Sequence, residues 1–428
     1  MTPAGVAPVG RAQRPFLVLE ATTIVSGTAN GITMVAFPWL VLETTGDAGA
    51  AAAIAAAAAL PLLVSMLFTG AVVDLLGRRL VAVVSDLLSM LSVALVPVLA
   101  ATIGLDFGLL LLAAALGAVF DPAGATARET MLPEAARAAG IPLERANGIH
   151  ESAYGFAYVL GPGIGGLLIG TVGTTATFWA TAVAFGLSAV LMGLARMPGG
   201  GRPEHVDHPG GLWSATKDGL AFLWRDRVLR AVAILTALLV AAWLPIEGVV
   251  LPVLFNAIDQ PAQLGFLVTA ISGGGIVGAL GYAALGARVR RRTALIVALV
   301  GCAIPVLGMA MLPPYPVMLA LGAVTGLFFG AFNPITNLAM QARTPEVLRG
   351  RVVGAMGASA YAAGPVGYLA AGPAIEAWGP QPVFVALGVV LLAVCIASAF
   401  VPALHGLDDP PMPGSAADRE RVEILPSA

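Results

Sequence analysis

The feature that most constrains this chain is its succession of long apolar blocks. Twelve of them, at residues 16–42, 49–73, 80–103, 107–126, 148–170, 174–195, 229–256, 263–286, 293–312, 315–341, 352–374 and 381–403, are each long enough to cross a bilayer as a helix, which takes roughly 20 residues. The apolar residues run continuously instead of at every second position, which argues against a membrane β-barrel. Only 11% of the 428 residues are charged and 58% are hydrophobic. Soluble domains carry about 25% charged residues, so a water-soluble enzyme is a poor fit. A net charge of −2 and no basic patch argue against nucleic acid as a partner. Cys302 and Cys395 lie inside apolar blocks, with no metal or disulfide spacing. The expected fold is an all-α membrane protein.

Twelve spans put both termini on one side. All 22 basic residues, read as loop or flanking residues, fall on that same side, including Arg78 and Arg79 after span 2 and Arg128, Arg137 and Arg145 after span 4. The opposite loops carry only acids: Glu43, Asp47, Asp106, Asp259 and Glu376. The positive-inside rule makes the basic side cytoplasmic. The first apolar run is too long for a signal-peptide core and is read as a retained span.

Residues 197–227 form the longest charged, Gly/Pro-containing stretch between spans. They divide an N-terminal six-helix bundle (1–196) from a C-terminal one (228–404), followed by a tail (405–428) expected to be disordered. Within the linker, Leu212–Arg230 reads either as a short amphipathic helix on the cytoplasmic face or as a solvated segment. The halves repeat. Phe120-Asp121-Pro122 returns as Phe332-Asn333-Pro334 and Pro133-Glu134 as Pro345-Glu346, both at an offset of 212. Gly161-Pro162 returns as Gly364-Pro365, and Pro38 pairs with Pro252. A six-helix repeat is a transporter architecture, with the substrate path expected between the halves.

After span 2 the chain reads Gly70-Ala-Val-Val-Asp74-Leu-Leu-Gly77-Arg78-Arg79. It resembles motif A of the major facilitator superfamily, a conformational latch. Gly77 suits a tight turn, Asp74 can accept from backbone N–H groups at a helix start, and Arg78 can pair with an acid. The bland alternative is a positively charged turn. The resemblance implies a latch of Gly70, Asp74, Gly77, Arg78 and Arg79, with a relay from Asp74 through Arg78 to Asp121; the alternative for Asp121 is an acid reaching water near a loop. Span 5 carries Gly161-Pro162-Gly163-Ile164-Gly165-Gly166, which resembles motif C of proton-exchanging exporters. There Gly161, Pro162, Gly165 and Gly166 would bend the helix and bring it close to a neighbour; a plain close-packed helix pair is the alternative. The GxGxxG patterns at Gly161 and Gly273 follow no strand and are not dinucleotide motifs. Lys217 is the only lysine and sits in no Walker A loop. His150-Glu151 lacks the second histidine of a zinc protease, since Tyr154 stands there. No enzyme is expected, and no cofactor beyond a proton gradient.

Acids inside spans need a reason, because an ionisable group at the bilayer centre costs roughly 2.5–3.5 kcal/mol. Glu247 lies deepest and is the first candidate for proton or substrate coupling, followed by Asp86, Glu151 and Glu20. Their structural alternatives are helix–helix hydrogen bonds and, for Glu20, reaching back to water. No lysine or arginine is expected at depth. Asn30 and the aromatics Phe37, Tyr154, Tyr158, Trp243 and Tyr361 are candidates to line a lipophilic cavity, with lipid-facing packing as the alternative.

Four longer strings resemble the Tap-type multidrug efflux proteins of actinobacteria. They are Ala36-Phe-Pro-Trp-Leu-Val-Leu42, Met131-Leu-Pro-Glu-Ala-Ala136, Ile271-Ser-Gly-Gly-Gly-Ile-Val-Gly278 and Leu348-Arg-Gly-Arg-Val-Val-Gly354, the last leading to Tyr361-Ala-Ala-Gly-Pro365. The resemblance implies two six-helix bundles of the major facilitator fold working by alternating access, as a proton-coupled antiporter exporting lipophilic or amphiphilic drugs. Asp74, Asp86, Glu151 and Glu247 match acids of such proteins by position. Asn30 stands where some have an acid, and Glu20 has no clear counterpart. The implied partners are drugs, protons and membrane lipids, in a monomer of the bacterial inner membrane with both termini cytoplasmic. A lipid or lysolipid translocator and a nutrient importer are the alternatives on the same fold.

Overall fold

The computed structural model describes residues 13–201, 211–285, 288–345 and 348–409. Helices α1 (Arg14–Thr45), α2 (Ala48–Leu76), α3 (Arg78–Thr102), α4 (Phe107–Ala139), α5 (Leu143–Val172) and α6 (Thr174–Leu194) correspond to the first six apolar blocks. Then come α7 (Gly211–Arg225), α8 (Arg227–Pro245), α9 (Leu251–Asn256), α10 (Pro261–Leu285), α11 (Arg291–Ala310), α12 (Tyr315–Phe329) and α13 (Phe332–Arg343). The last are α14 (Arg349–Tyr361), α15 (Gly364–Trp378) and α16 (Pro380–Ser398).

Eleven helical stretches among the described residues are long and apolar enough to cross a membrane. The eleventh apolar block, at 352–374, is interrupted. It is divided between α14, of 13 residues, and α15, of 15. Pro365 has no N–H to offer the Tyr361 carbonyl one turn earlier, so the regular ladder cannot pass this point. Counting α14 and α15 as one broken span restores twelve crossings in the order of the blocks.

Helix α4 departs from the expectation at its end. It runs through its polar continuation to Ala139, capped by Gly140 at φ +69°. Arg128 and Arg137 are therefore helical and not loop residues, and Arg128 is buried. The apolar window ended where charge began, but the helix did not.

The chain forms two compact units: Met1–Ala36 with Val64–Asp207, and Phe37–Leu63 with His208–Ala428. The later boundary falls within the charged linker. The segment Phe37–Leu63, the end of α1 and the start of α2, groups with the second unit. There Gly49 and Gly372 let α2 and α15 meet: a Cβ on Gly372 would stand 2.8 Å from the Ala52 Cβ.

Glycine sets helix separation in both units. In the first, a Cβ on Gly31 would lie 2.8 Å from the Gly161 Cα, and one on Gly165 would lie 3.0 Å from the Ile32 Cα. The motif C glycines thus seat α5 directly on α1. In the second, Gly274 and Gly278 of α10 face the Ala323 and Leu327 carbonyls of α12, while Gly326 of α12 and Gly330 at its C-terminal cap face the Ile271 and Gly275 carbonyls of α10. A side chain at any of the four would collide with backbone. The string Ile271–Gly278 is therefore a helix-packing surface, of the small-residue kind that membrane helices use. The repeat reappears at α8 and α15. Pro245 leaves the Ala241 carbonyl without its helical donor, and Gly367 packs its backbone against that oxygen.

The tail is ordered further than expected. Pro402–Asp408 forms a 3₁₀ helix that buries Leu404 and Leu407. Arg343 joins Asp226 at 3.2 Å to Asp409 at 2.8 Å. Residues 410–428 lie outside the described residues, as does Glu346 of the Pro345-Glu346 repeat. In the linker, α7 provides a helix over Gly211–Arg225, and Asp226 caps α8 by accepting from the Val228 and Leu229 N–H groups.

The α10–α12 contact gives a controlled comparison. Gly326→Leu is expected to destabilise the purified protein by about 1–3 kcal/mol through overpacking. Gly281→Leu on α10, which meets nothing within 4 Å, is expected to leave the thermal midpoint in detergent unchanged. Equal midpoints for the two variants would contradict the packing described.

Candidate functional site

The larger site lies within the second unit. A cavity of about 550 Å³ is lined by α8, α10, α11, α12, α13, α14 and α16 side chains. Its walls are mainly apolar, with Leu239, Leu299, Phe329 and Phe332 among them, and Trp243, Asn333 and Tyr361 contribute polar edges. Glu247 supplies the one carboxylate among its lining residues, and no basic side chain lines it.

The backbone around Glu247 is irregular for a sequence reason. Ile246–Val250 forms a π-helical turn in which the Leu251 N–H reaches the Ile246 carbonyl. The next residue, Pro252, cannot donate to Gly248, so the regular ladder would fail here in any case. Such widened turns often mark functional positions in helices. Gly248 admits Tyr368: a Cβ there would stand 2.7 Å from its hydroxyl. The Trp243 Nε1–H donates to Glu247 Oε2 at 2.9 Å, the carboxylate's only hydrogen bond among the described residues.

The first unit treats its acids differently. A cavity of about 270 Å³ between α1, α4 and α5 is lined by Asn30, Asp121, Glu129, His150, Glu151 and the tyrosines Tyr154 and Tyr158. The two tyrosine rings lie 4.9 Å apart. Asn30 donates to Asp121 Oδ1. His150 Nδ1 lies 3.2 Å from both Glu20 oxygens. Behind the cavity, Arg128 Nη2 forms a buried ion pair with Asp86, whose carboxylate also accepts from Ser26 at 2.9 Å and Ser188 at 2.7 Å.

Several expectations need correcting against this geometry. Asp86 lines neither cavity; it is held by Arg128 and two hydroxyls. An arginine does lie at depth in the bundle, with Arg128 only 4% exposed. Among the described residues the relay from Asp74 through Arg78 to Asp121 is not formed. Arg78 Nη1 reaches Glu134 Oε1 at 3.2 Å instead, and Asp121 bonds Asn30. The Arg79 guanidinium caps the end of α6 through the Met192 and Gly193 carbonyls. Gly77 adopts φ +98° at the turn into α3, a conformation that favours glycine. Gly70 and Asp74 lie in α2, and Gly161, Pro162, Gly165 and Gly166 lie buried in α5. Asn30, Glu151, Tyr154 and Tyr158 face the smaller cavity, Trp243 and Tyr361 the larger, and Phe37 neither.

Arg128, Glu129, Glu134, His150 and Asn333 were not singled out as site residues from sequence. Asn333 had a signal, as the repeat partner of Asp121. The others are defined by partners far along the chain.

A helical, multi-pass bundle with an apolar-walled cavity is the architecture of a membrane transporter. The model of the Major Facilitator Superfamily matches residues 21–248 and 246–426, and the chain belongs to that superfamily. It is 44% identical over 397 residues to the multidrug efflux pump Tap of Mycolicibacterium fortuitum, covering 92% of this chain and 97% of that protein. It is 46% identical over 396 residues to the multidrug efflux pump Tap of Mycobacterium tuberculosis, covering 92% and 94%. The fold matches that of the nucleoside transporter NupG with a TM-score of 0.73 at 13% identity, over 90% of this chain and 98% of the other. An inward-facing bacterial homologue of the lysosomal transporter Spinster matches with a TM-score of 0.71 at 14% identity, over 94% and 100%.

The buried pair yields a stability prediction. Asp86→Asn leaves the Arg128 charge without its counter-ion and is expected to cost about 3–5 kcal/mol. Asp86→Leu combined with Arg128→Met removes both charges and is expected to recover most of that loss. Thermal unfolding of the two variants in detergent checks it; a double variant less stable than Asp86→Asn would contradict the assignment.

Proposed function

We propose that this transporter exports lipophilic or amphiphilic drugs in exchange for protons, by alternating access, across the bacterial plasma membrane with both termini cytoplasmic. The observation that carries the reading is Glu247. It is a carboxylate in a largely apolar cavity, bonded among the described residues by Trp243 alone and with no basic side chain among the cavity's described lining. A carboxyl so placed can be neutral while the cavity is empty and charged when a cationic drug supplies the counter-charge. Proton and drug then compete for one group, which is what exchange requires. The aromatic edges of Trp243 and Tyr361 suit flat or cationic molecules.

Other observations agree with this reading. The motif C glycines make the close α1–α5 contact that the resemblance to exchanging exporters implies. The relatives at 44% and 46% identity are named as multidrug efflux pumps, which favours outward drug transport over import. No ATP motif surrounds Lys217, so a gradient is the natural source of free energy.

In proteoliposomes with an imposed proton gradient, the wild-type protein is expected to accumulate ethidium against its own gradient. Glu247→Gln is expected to lose that accumulation by at least an order of magnitude while the protein stays folded. Full gradient-driven ethidium transport by Glu247→Gln would contradict the role of Glu247.

A further inference from the structure

Glu20 of α1 and His150 of α5 are 7% and 8% exposed. They stand at one end of a series of α1–α5 contacts that reaches from Glu20 to Ile32. Glu20 meets His150, Gly27 meets Ala157 and Gly31 meets Gly161, each pair at the same offset of 130 residues. A Cβ on Gly27 would lie 2.8 Å from the Ala157 Cβ, and one on Gly31 would lie 2.8 Å from the Gly161 Cα and 3.0 Å from the Pro162 Cδ. The two helices therefore run parallel and in register. The titratable pair and the Gly161-Pro162 motif occupy a single seam.

We propose that the Glu20–His150 pair is a second proton-exchange site of the transport cycle, separate from Glu247, and that its charge state sets the closeness of the α1–α5 seam. His150 lines the smaller cavity, while its Nδ1 is turned to Glu20. Nε2 has no hydrogen-bond partner among the described residues and is the nitrogen left for exchange. The Nε2 proton passes to cavity water and the ring goes from +1 to 0. Nδ1–H stays and donates to the Glu20 carboxylate, so no other reactant is needed.

The charges around the ring make this step consequential. From α4, Glu129, Asp121 and Arg128 line the same cavity, and from α5 itself so does Glu151. Arg128 is already paired with Asp86 of α3, and Asp121 is bonded by Asn30 of α1. A protonated His150 is thus the cation that faces Glu20, Glu129 and Glu151. Losing it leaves the buried Glu20 carboxylate opposite a neutral ring and removes the ionic attraction at that end of the seam. Because Gly31 and Gly161 meet backbone to backbone farther along the seam, a change in spacing at the pair has to be accommodated there as well.

The assignment builds on the proton-coupled reading above, but its first test does not use transport. The chain has four histidines, so isotope-labelled imidazole signals of the full protein in lipid nanodiscs are few. The signal missing in His150→Gln belongs to His150. It is expected to titrate, with its midpoint displaced in Glu20→Gln. If His150→Gln does not fold, Glu20→Gln identifies the signal by that same displacement. In proteoliposomes, His150→Gln is expected to flatten the pH dependence of ethidium–proton exchange. An imidazole that does not titrate, a midpoint indifferent to Glu20→Gln, or an unchanged pH profile in His150→Gln would overturn the proposal. A wild-type protein that exchanges no protons for ethidium would overturn the proton-coupled reading and with it the pair's part in the cycle; the imidazole titration would then decide only whether the pair exchanges protons.

Discussion

A charge inside a bundle of apolar helices must find a partner, reach water or give up its charge, and this requirement separates the two units. The first unit answers with partners. Asp86 has Arg128 and two hydroxyls, and Glu20 has His150. The second unit leaves Glu247 with one indole N–H in a cavity of about 550 Å³. Paired acids hold helices together. The proposed function rests on the contrast between the Asp86–Arg128 ion pair and a carboxylate with a single neutral donor.

Glycine supplies the second condition, since pairs form only where helices approach closely. The α1–α5 seam brings Gly31 against Gly161 and, at its other end, Glu20 against His150. Across α10 and α12, glycines on each helix meet carbonyls on the other. Proline then decides where carbonyls are left open. Pro245 frees the Ala241 oxygen, against which Gly367 packs, and Pro365 divides the eleventh span into α14 and α15. The Gly-Pro repeat seen at 161–162 and 364–365 thus has a physical meaning in both halves: each places glycine against the first helix of its own six.

Much of this was legible in the sequence. Twelve apolar blocks gave the spans, and the motif C glycines pointed to close packing, because both signals depend on neighbours within a few residues. What could not be read depends on distance along the chain. Asp86 and Arg128 are separated by 42 residues and Glu20 and His150 by 130, and no local pattern selects those partners. Arg128 was placed in a loop because a hydropathy window ends where charge begins, whereas α4 continues to Ala139. The acid that pairs with Arg78 was hidden for a related reason: Asp74 lies near Arg78 in sequence, but Glu134 of α4 reaches it in the fold. The order found at 402–409 came from Arg343, which gathers Asp226 and Asp409 across a long chain separation.

The central claim is that Glu247 gives up a proton when a cationic drug occupies its cavity. Infrared difference spectroscopy of the purified protein, recorded with and without ethidium, measures this directly. The account predicts that ethidium removes a carboxylic acid C=O band and adds carboxylate bands, and that both changes are absent in Glu247→Gln. An unchanged carboxylic band in the wild-type protein with ethidium bound, or the same difference spectrum in Glu247→Gln, would contradict it.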